Sequence, residues 1–159
     1  MRFQREPIAL LWTEVMPLLA AHYREVAHFQ DIPLDPDQAF YENSEAVGIF
    51  RAYTARDEFG KLVGYAAYFV LPNPHYRSLK QAVGDVVYVT PKHRGHLVGF
   101  RMLKWCHEQL TAEGCETATQ HVKTVPGLDF SPLLQGMGYE VVEKLLVKRL
   151  QVIPRECAA

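Results

Sequence analysis

Apolar and polar positions along the chain follow two rhythms, and they alternate in a fixed order. Met1 to Arg5 is a short alternating piece that reads as a first strand. Ile8, Leu11, Trp12, Val15, Leu18, Leu19, His22 and Val26 then recur at helical spacing, with Pro17 inside the run predicting a kink or two abutting helices. The stretch from Gln30 to Pro36 reads as a loop, because each residue before a proline is pushed out of the α region. Asp35-Pro36 makes a helix start, with Asp as cap, for a short helix to about Glu45 carrying Phe40 and Tyr41. Val47 to Ala55 and Lys61 to Leu71 flank the polar turn from Arg56 to Gly60, which predicts a hairpin. A loop over 72–80 leads into a third, β-branched strand, Val83 to Val89.

After Pro91 comes a short basic segment with two glycines, then a helix with Val98, Met102, Leu103, Cys106 and Leu110 on its apolar face and Gly114 placed to end it. Thr117 to Lys123 reads as a strand, Pro126-Gly127 as a turn, and Phe130 to Gly136 as a short helix. Gly138-Tyr139 and the run from Val141 to Val152 read as a last strand. This order predicts an α/β chain, a mixed sheet with helices on both faces. With no repeat or linker, one domain over 1–153 with a short tail at 154–159 is expected.

Composition changes that picture little. The chain has 159 residues, 48% hydrophobic and 11% aromatic, which is the make-up of a folded globular protein rather than a disordered one. A net charge of −1 gives no case for global attraction to nucleic acid or an anionic membrane. Positive charge is local instead, in Lys92, His93, Arg94, His96, Arg101 and Lys104. Cys106, Cys115 and Cys157 lie far apart, without the spacing of a disulfide framework or a zinc site. No segment approaches the roughly 18 continuous apolar residues of a spanning helix. Glu6, Pro7 and polar residues precede any apolar run, which is wrong for a signal peptide, so a cytoplasmic location is expected.

A strand that ends in a tight loop at a helix start aims unpaired amides and the positive end of the helix dipole at one spot. A phosphate or pyrophosphate fits there. Arg94 can add a forked contact, and Gly95 and Gly99 keep bulk away from the backbone. The bland alternative is an ordinary strand, turn and helix with a solvated basic face. The order of β-branched run, Pro91, Arg94-Gly95, Gly99 and amphipathic helix favours the anion site.

These residues resemble the acyl-CoA-binding core of the GNAT superfamily of N-acetyltransferases, whose pattern here is V-x-P-x-x-R-G-x-G-x-G. Val89, Pro91, Arg94, Gly95 and Gly99 match it, and Leu97 stands where the family has its middle glycine. The element order extends the resemblance from residue 1 to about 150. Leu133 to Tyr139 resembles the family's late helix followed by Gly-aromatic, and small bacteriophage and bacterial members look most similar.

The resemblance implies a single-domain transferase moving acetyl from acetyl-CoA to an amine, with no metal. The loop Arg94, Gly95, His96, Leu97, Val98 and Gly99 would cradle the pyrophosphate, and the backbone of Val87, Tyr88 and Val89 would hold the pantetheine arm. Asp85 is the implied general base. It stands in step with Val83, Val87 and Val89, and apolar neighbours there would desolvate it and raise its pKa. Its alternative role is a structural hydrogen bond or an end to strand pairing.

Leu134 occupies the position at which relatives carry a tyrosine acid, and Asp129 replaces a common asparagine. The thiolate then leaves unassisted, or with a proton from Tyr88, His121 or water. Tyr23, Glu25, Tyr41, Glu42, His75 and Tyr76 are candidates for holding a cationic amine, each with packing or surface exposure as its alternative. His121 and Lys123 share one strand face and can meet a cofactor phosphate or solvent. The acceptor is a small molecule or a protein amine, and because the family is often dimeric a homodimer is expected.

Other chemistries find less support. Ser44, Ser78 and Ser131 lie in no Gly-x-Ser-x-Gly setting, His93 and His96 lack further metal ligands, and no Walker pattern is present. A nucleic-acid role lacks aromatic interleaving around the basic cluster. The rival reading keeps the fold and the CoA but not the turnover, and Leu97 and Leu134 are its support.

Overall fold

The computed structural model describes residues 1–150. Their elements are β1 (Arg2–Arg5), α1 (Ile8–Val26), α2 (Gln38–Ala46), β2 (Phe50–Arg56), β3 (Leu62–Pro72), β4 (Lys80–Val89), α3 (Val98–Ala112), β5 (Thr117–Gln120) and α4 (Ser131–Gly136). The chain forms two compact units, divided after Asp129.

In the first unit five strands make one sheet in the order β1-β2-β3-β4-β5. β1 to β4 are antiparallel neighbours, while β5 returns through α3 to lie parallel to β4. That crossover is what a strand, helix and strand in succession require of a sheet. Alternation along the strands gives each face its own core. On one face α3 packs Val98, Met102, Cys106 and Leu110 against Tyr53, Val63, Tyr68 and Val89. On the other, α1 packs Ile8, Leu11 and Val15 against Phe50, Leu62, Tyr65 and Tyr88. Each large apolar side chain fully removed from water in this way contributes about 1.5–3 kcal/mol.

The mixed sheet with helices on both faces is as the hydrophobic pattern predicts, with local differences. α1 runs through Pro17 as one helix; that residue is exposed, so water can take the carbonyl its ring leaves unpaired. α2 begins two residues later than expected, because Asp37 rather than Asp35 caps it, accepting a hydrogen bond from the Phe40 amide at 3.0 Å. β5 ends at Gln120 instead of Lys123.

The second unit holds α4, as expected. The last strand is not there: among the described residues the run from Val141 to Leu150 lies outside any strand, and Val142, Leu145 and Leu146 are exposed. Its apolar residues come in pairs and triplets rather than at period 2, so a strand built from them would turn apolar side chains to both faces and need cover on each. Residues 151 and 152 of that expected strand, and the tail at 154–159, lie outside the described residues.

Candidate active site

The centre of β4 is irregular. Its register against β3 passes from Val86 opposite Ala67 to Gly84 opposite Tyr68, so Asp85 is an extra residue with no β3 partner. Such a bulge turns the inserted side chain and breaks the alternation. Asp85 therefore does not share a face with Val87 and Val89, as simple alternation predicts. Those two valines pack on the α3 side, whereas Asp85 turns to α2, with the Tyr41 hydroxyl donating to its Oδ2 at 3.4 Å. Burial pushes the Asp85 carboxyl above its ordinary pKa, against the Tyr41 hydrogen bond and the charge of His121, which pull it down. Burial together with the Asp85 charge pushes Tyr41 up to about 12. A half-buried carboxylate with a raised pKa, held by a phenol, can take up a proton from a substrate.

The bulge also marks where β4 loses its other neighbour. β4 and β5 pair only from Gln81 with Thr117 to Gly84 with Gln120. From Asp85 to Val89, no strand among the described residues pairs with that side of β4. This open edge offers main-chain groups to an extended molecule, as a sheet edge does to an added strand.

The open edge leads to the start of α3. Pro91 opens a tight turn, Pro91–His93, steadied by a 2.8 Å hydrogen bond between Thr90 Oγ1 and His93 Nδ1. Gly95 follows at φ +79°, a left-handed conformation that glycine adopts without strain. Leu97 is also left-handed, at φ 57° and ψ 11°, and stands as the N-cap of α3 with no side-chain hydrogen bond to the helix. The first-turn amides of α3 thus have no side-chain cap and no partner within the helix. A Cβ placed at Gly95 would meet nothing within 4 Å, and one at Gly99 only Val89 Cγ2, at 3.8 Å. Neither glycine is crowded at its Cβ position, and Gly95, His96 and Leu97 are exposed.

The Arg94 side chain folds back from that turn. Its Nε donates to the Val89 carbonyl at 2.8 Å, and a terminal nitrogen pairs with Glu25 Oε2 at 2.7 Å. The guanidinium carbon lies 5.2 Å from the centre of the Tyr88 ring. Two arms of its expected fork are thus occupied by protein. Tyr88 donates to the same Glu25 at 3.2 Å, with its own pKa raised first by burial and then by the Glu25 charge.

The remaining acceptor candidates are scattered. Tyr23 donates to the Phe29 carbonyl at 2.9 Å and to that of Ile32, and so holds the loop after α1. Glu42 accepts from Gln38 on the exposed side of α2. His75 and Tyr76 sit in an exposed turn built on Asn73, at the end of the β3–β4 hairpin away from Val89. His121 and Lys123 are both exposed. The structure thus joins Glu25, Tyr88 and Arg94, and separately Tyr41 and Asp85, but leaves His75 and Tyr76 apart.

One further residue joins the site that no motif marks. His22 lies with Nδ1 2.9 Å from the Tyr65 hydroxyl, and its ring stacks on Tyr88 at 4.9 Å between centres. Burial, chiefly, lowers the His22 pKa. Its place in the apolar rhythm of α1 was the available signal, because a histidine on a core-facing stripe needs a polar partner. Among the described residues no group of three His, Cys, Asp or Glu side chains could hold a metal ion, and no helix is long and apolar enough to cross a membrane.

Comparison with known proteins places this geometry. A family model described as the acetyltransferase (GNAT) family matches residues 12–126. No curated protein matches the chain. Among solved structures, a ribosomal-protein-alanine N-acetyltransferase from Brucella melitensis biovar Abortus 2308 superposes with a TM-score of 0.72 at 21% identity, over 94% of this chain and 100% of that one. Glucosamine-6-phosphate N-acetyltransferase from Arabidopsis thaliana gives 0.71 at 11% identity, over 94% and 98%. A predicted acetyltransferase with acetyl-CoA from Clostridium acetobutylicum gives 0.67 at 14% identity, over 93% and 95%. At these identities the likeness is one of fold.

Proposed function

We propose, from the premise that this chain belongs to the acetyltransferase (GNAT) family, that it moves an acetyl group from acetyl-CoA to an amine. The observation that carries the reading is the pairing of β4 with β5, which stops at Gly84 and leaves an open edge running from a raised-pKa carboxyl to an uncapped helix start. Bound acetyl-CoA would supply the activated thioester.

In this reading each part of the chain has a separate task. The amides of Gly95, His96, Leu97, Val98 and Gly99 hold the pyrophosphate at the positive end of α3. The backbone of Val87, Tyr88 and Val89 holds the pantetheine arm. Asp85 accepts the proton that the amine must lose, and its burial raises its affinity for that proton. Glu25 and Tyr88 fix Arg94, so the end of α1 and the phosphate loop form one unit. Tyr41 holds Asp85 and borders the amine's entrance. A single acyltransferase-like domain in the cytoplasm is part of the same reading.

Leu134 favours a second reading. It is a buried aliphatic side chain at the position the family resemblance gives to a tyrosine, and it has no proton to donate. On that reading the chain binds CoA as an interaction module with little or no turnover. Release of free CoA thiol across a panel of amines decides between them. Asp85→Asn should lower that release about 10²–10⁴-fold while keeping the rise in melting temperature that acetyl-CoA produces. Undiminished release in Asp85→Asn would remove the base, and no thiol release from any amine would leave the binding module.

A further inference from the structure

Most carboxylates near Asp85 on its side of the sheet are already engaged. On α1, Glu14 is held by Arg56 and Glu25 by Arg94. At α2, Asp37 caps the helix, Glu45 accepts from the Ile8 amide at 2.9 Å, and Glu42 accepts from Gln38 at 2.7 Å. Among the described residues Asp85 has no ion pair, and the Tyr41 phenol is its hydrogen-bond partner. A half-buried carboxylate without a cation suits one ammonium group.

The phenol that holds Asp85 is itself ringed by aromatic side chains. The Tyr41 ring centre lies 5.0 Å from that of Phe50, 5.4 Å from Phe40, 6.2 Å from Trp12 and 6.4 Å from Phe69. Phe50 is buried, and Trp12 and Phe69 are half-buried parts of the α1-side core. Phe40 stands apart from them. Its ring rests on Phe69 at 5.9 Å, yet 51% of the residue is exposed. Successive helical residues turn by about 100°, so Glu42 stands on the far side of Tyr41 from Phe40. A ring left half in water beside a candidate base is apolar surface that a ligand can cover.

We propose that the acceptor is a small arylalkylamine, its ammonium meeting Asp85 and its ring lying on Phe40, which makes Phe40 a specificity-determining residue. This rests on the reading of Asp85 as the base of an acetyl transfer. Tyr41 spans the distance, with its hydroxyl on Asp85 and its ring beside Phe40, so a short alkyl chain between amine and ring is of matching length. In the transfer the ammonium gives one proton to Asp85, and the N–C bond forms as the thioester C–S bond breaks. The second proton ends on the leaving thiolate, giving one acetyl amide and one CoA thiol.

Release of free CoA thiol by the full chain, followed with 2-phenylethylamine, propylamine and spermidine, tests it. The aromatic amine should exceed the other two in kcat/KM about tenfold, from the ring surface it covers. Phe40→Ala should remove most of that advantage, through KM rather than kcat. Phe40→Leu, which keeps an apolar contact but not the ring, stands in if the alanine does not fold. Failure of both to fold would make Phe40 a structural residue and overturn the proposal. Equal kcat/KM for the three amines, or a preference that Phe40→Ala leaves intact, would also overturn it while leaving the transferase reading in place. No release with 2-phenylethylamine would do the same, and no release with any amine would overturn the transferase reading as well.

Discussion

Replacing Arg56 by methionine should remove most of the acid dependence of stability that Glu6 contributes. Arg56 ends β2 and is only 9% exposed. Its Nε and one terminal nitrogen hold the two oxygens of Glu6 at 2.8 and 2.9 Å. Its terminal nitrogens also reach Glu14 Oε1 and Oε2, both at 2.8 Å, and one donates to the Gly60 carbonyl at 2.8 Å. The guanidinium thus ties the β1–α1 junction and the first half of α1 to the β2–β3 hairpin.

Burial of Glu6 acts to raise its pKa, but hydrogen bonds from Arg56, Thr54 and Gln4, with the Arg56 charge, outweigh it and bring the value from 4.5 down to about 2. Because the folded pKa is the lower one, this carboxyl contributes fully above pH 4.5. The contribution is lost as pH falls from there towards 2. A fall of that size is worth on the order of 3 kcal/mol at neutral pH. Glu14 moves the same way, but its side chain is 45% exposed and adds little.

In Arg56→Met the hydrogen bond and charge of Arg56 are gone while burial and the hydrogen bonds from Thr54 and Gln4 remain, so the carboxyl should rise from about 2 and the variant should lose much less stability as pH falls. At pH 7 the loss should be about 3–5 kcal/mol, the usual cost of leaving a buried charge unpaired. Urea unfolding at pH 3 and pH 7 measures both effects, with Arg56→Met/Glu6→Gln completing the cycle. Parallel pH profiles for parent and Arg56→Met would refute the argument.

Two further substitutions probe backbone geometry. Leu97→Gly should relieve a left-handed leucine, a gain of about 1–2 kcal/mol offset by roughly 0.5–1 kcal/mol of chain entropy, for a net rise of about 1 kcal/mol in a urea melt. Loss of stability there would mean that the exposed leucine side chain contributes packing. Gly64→Ala should cost about 2–3 kcal/mol, since its Cβ would lie 2.9 Å from the Tyr88 carbonyl, a backbone atom that cannot turn aside, and 3.3 Å from Val89 Cγ2. A melting midpoint equal to the parent's would show that β3 and β4 can separate without penalty.

The sequence by itself determined what depends on neighbours in the chain. The apolar stripe of Val98, Met102, Cys106 and Leu110 made α3, and Pro91, Gly95 and Gly114 set the turn before it and its end. Residues within a few positions of one another decide such features through dihedral preference and periodicity. The turn and helix start after β4 were therefore legible, as was the order of the elements as far as α4.

Tertiary structure decided whatever depends on register or on residues distant in the chain. Counting by twos puts Asp85 beside Val87, because no period reveals an inserted residue; only pairing with β3 shows the bulge that turns it to Tyr41. Glu25 reads in the sequence as one candidate among several for holding an amine, and only the fold sets it against Arg94, 69 positions away. His22 counted as one more core-facing position on α1, and packing made it the partner of Tyr65. The run from Val141 had the composition of a strand, but composition supplies no partner for its backbone. Local dihedrals are chosen residue by residue; a hydrogen bond between strands exists only after the chain has closed the loop that joins them.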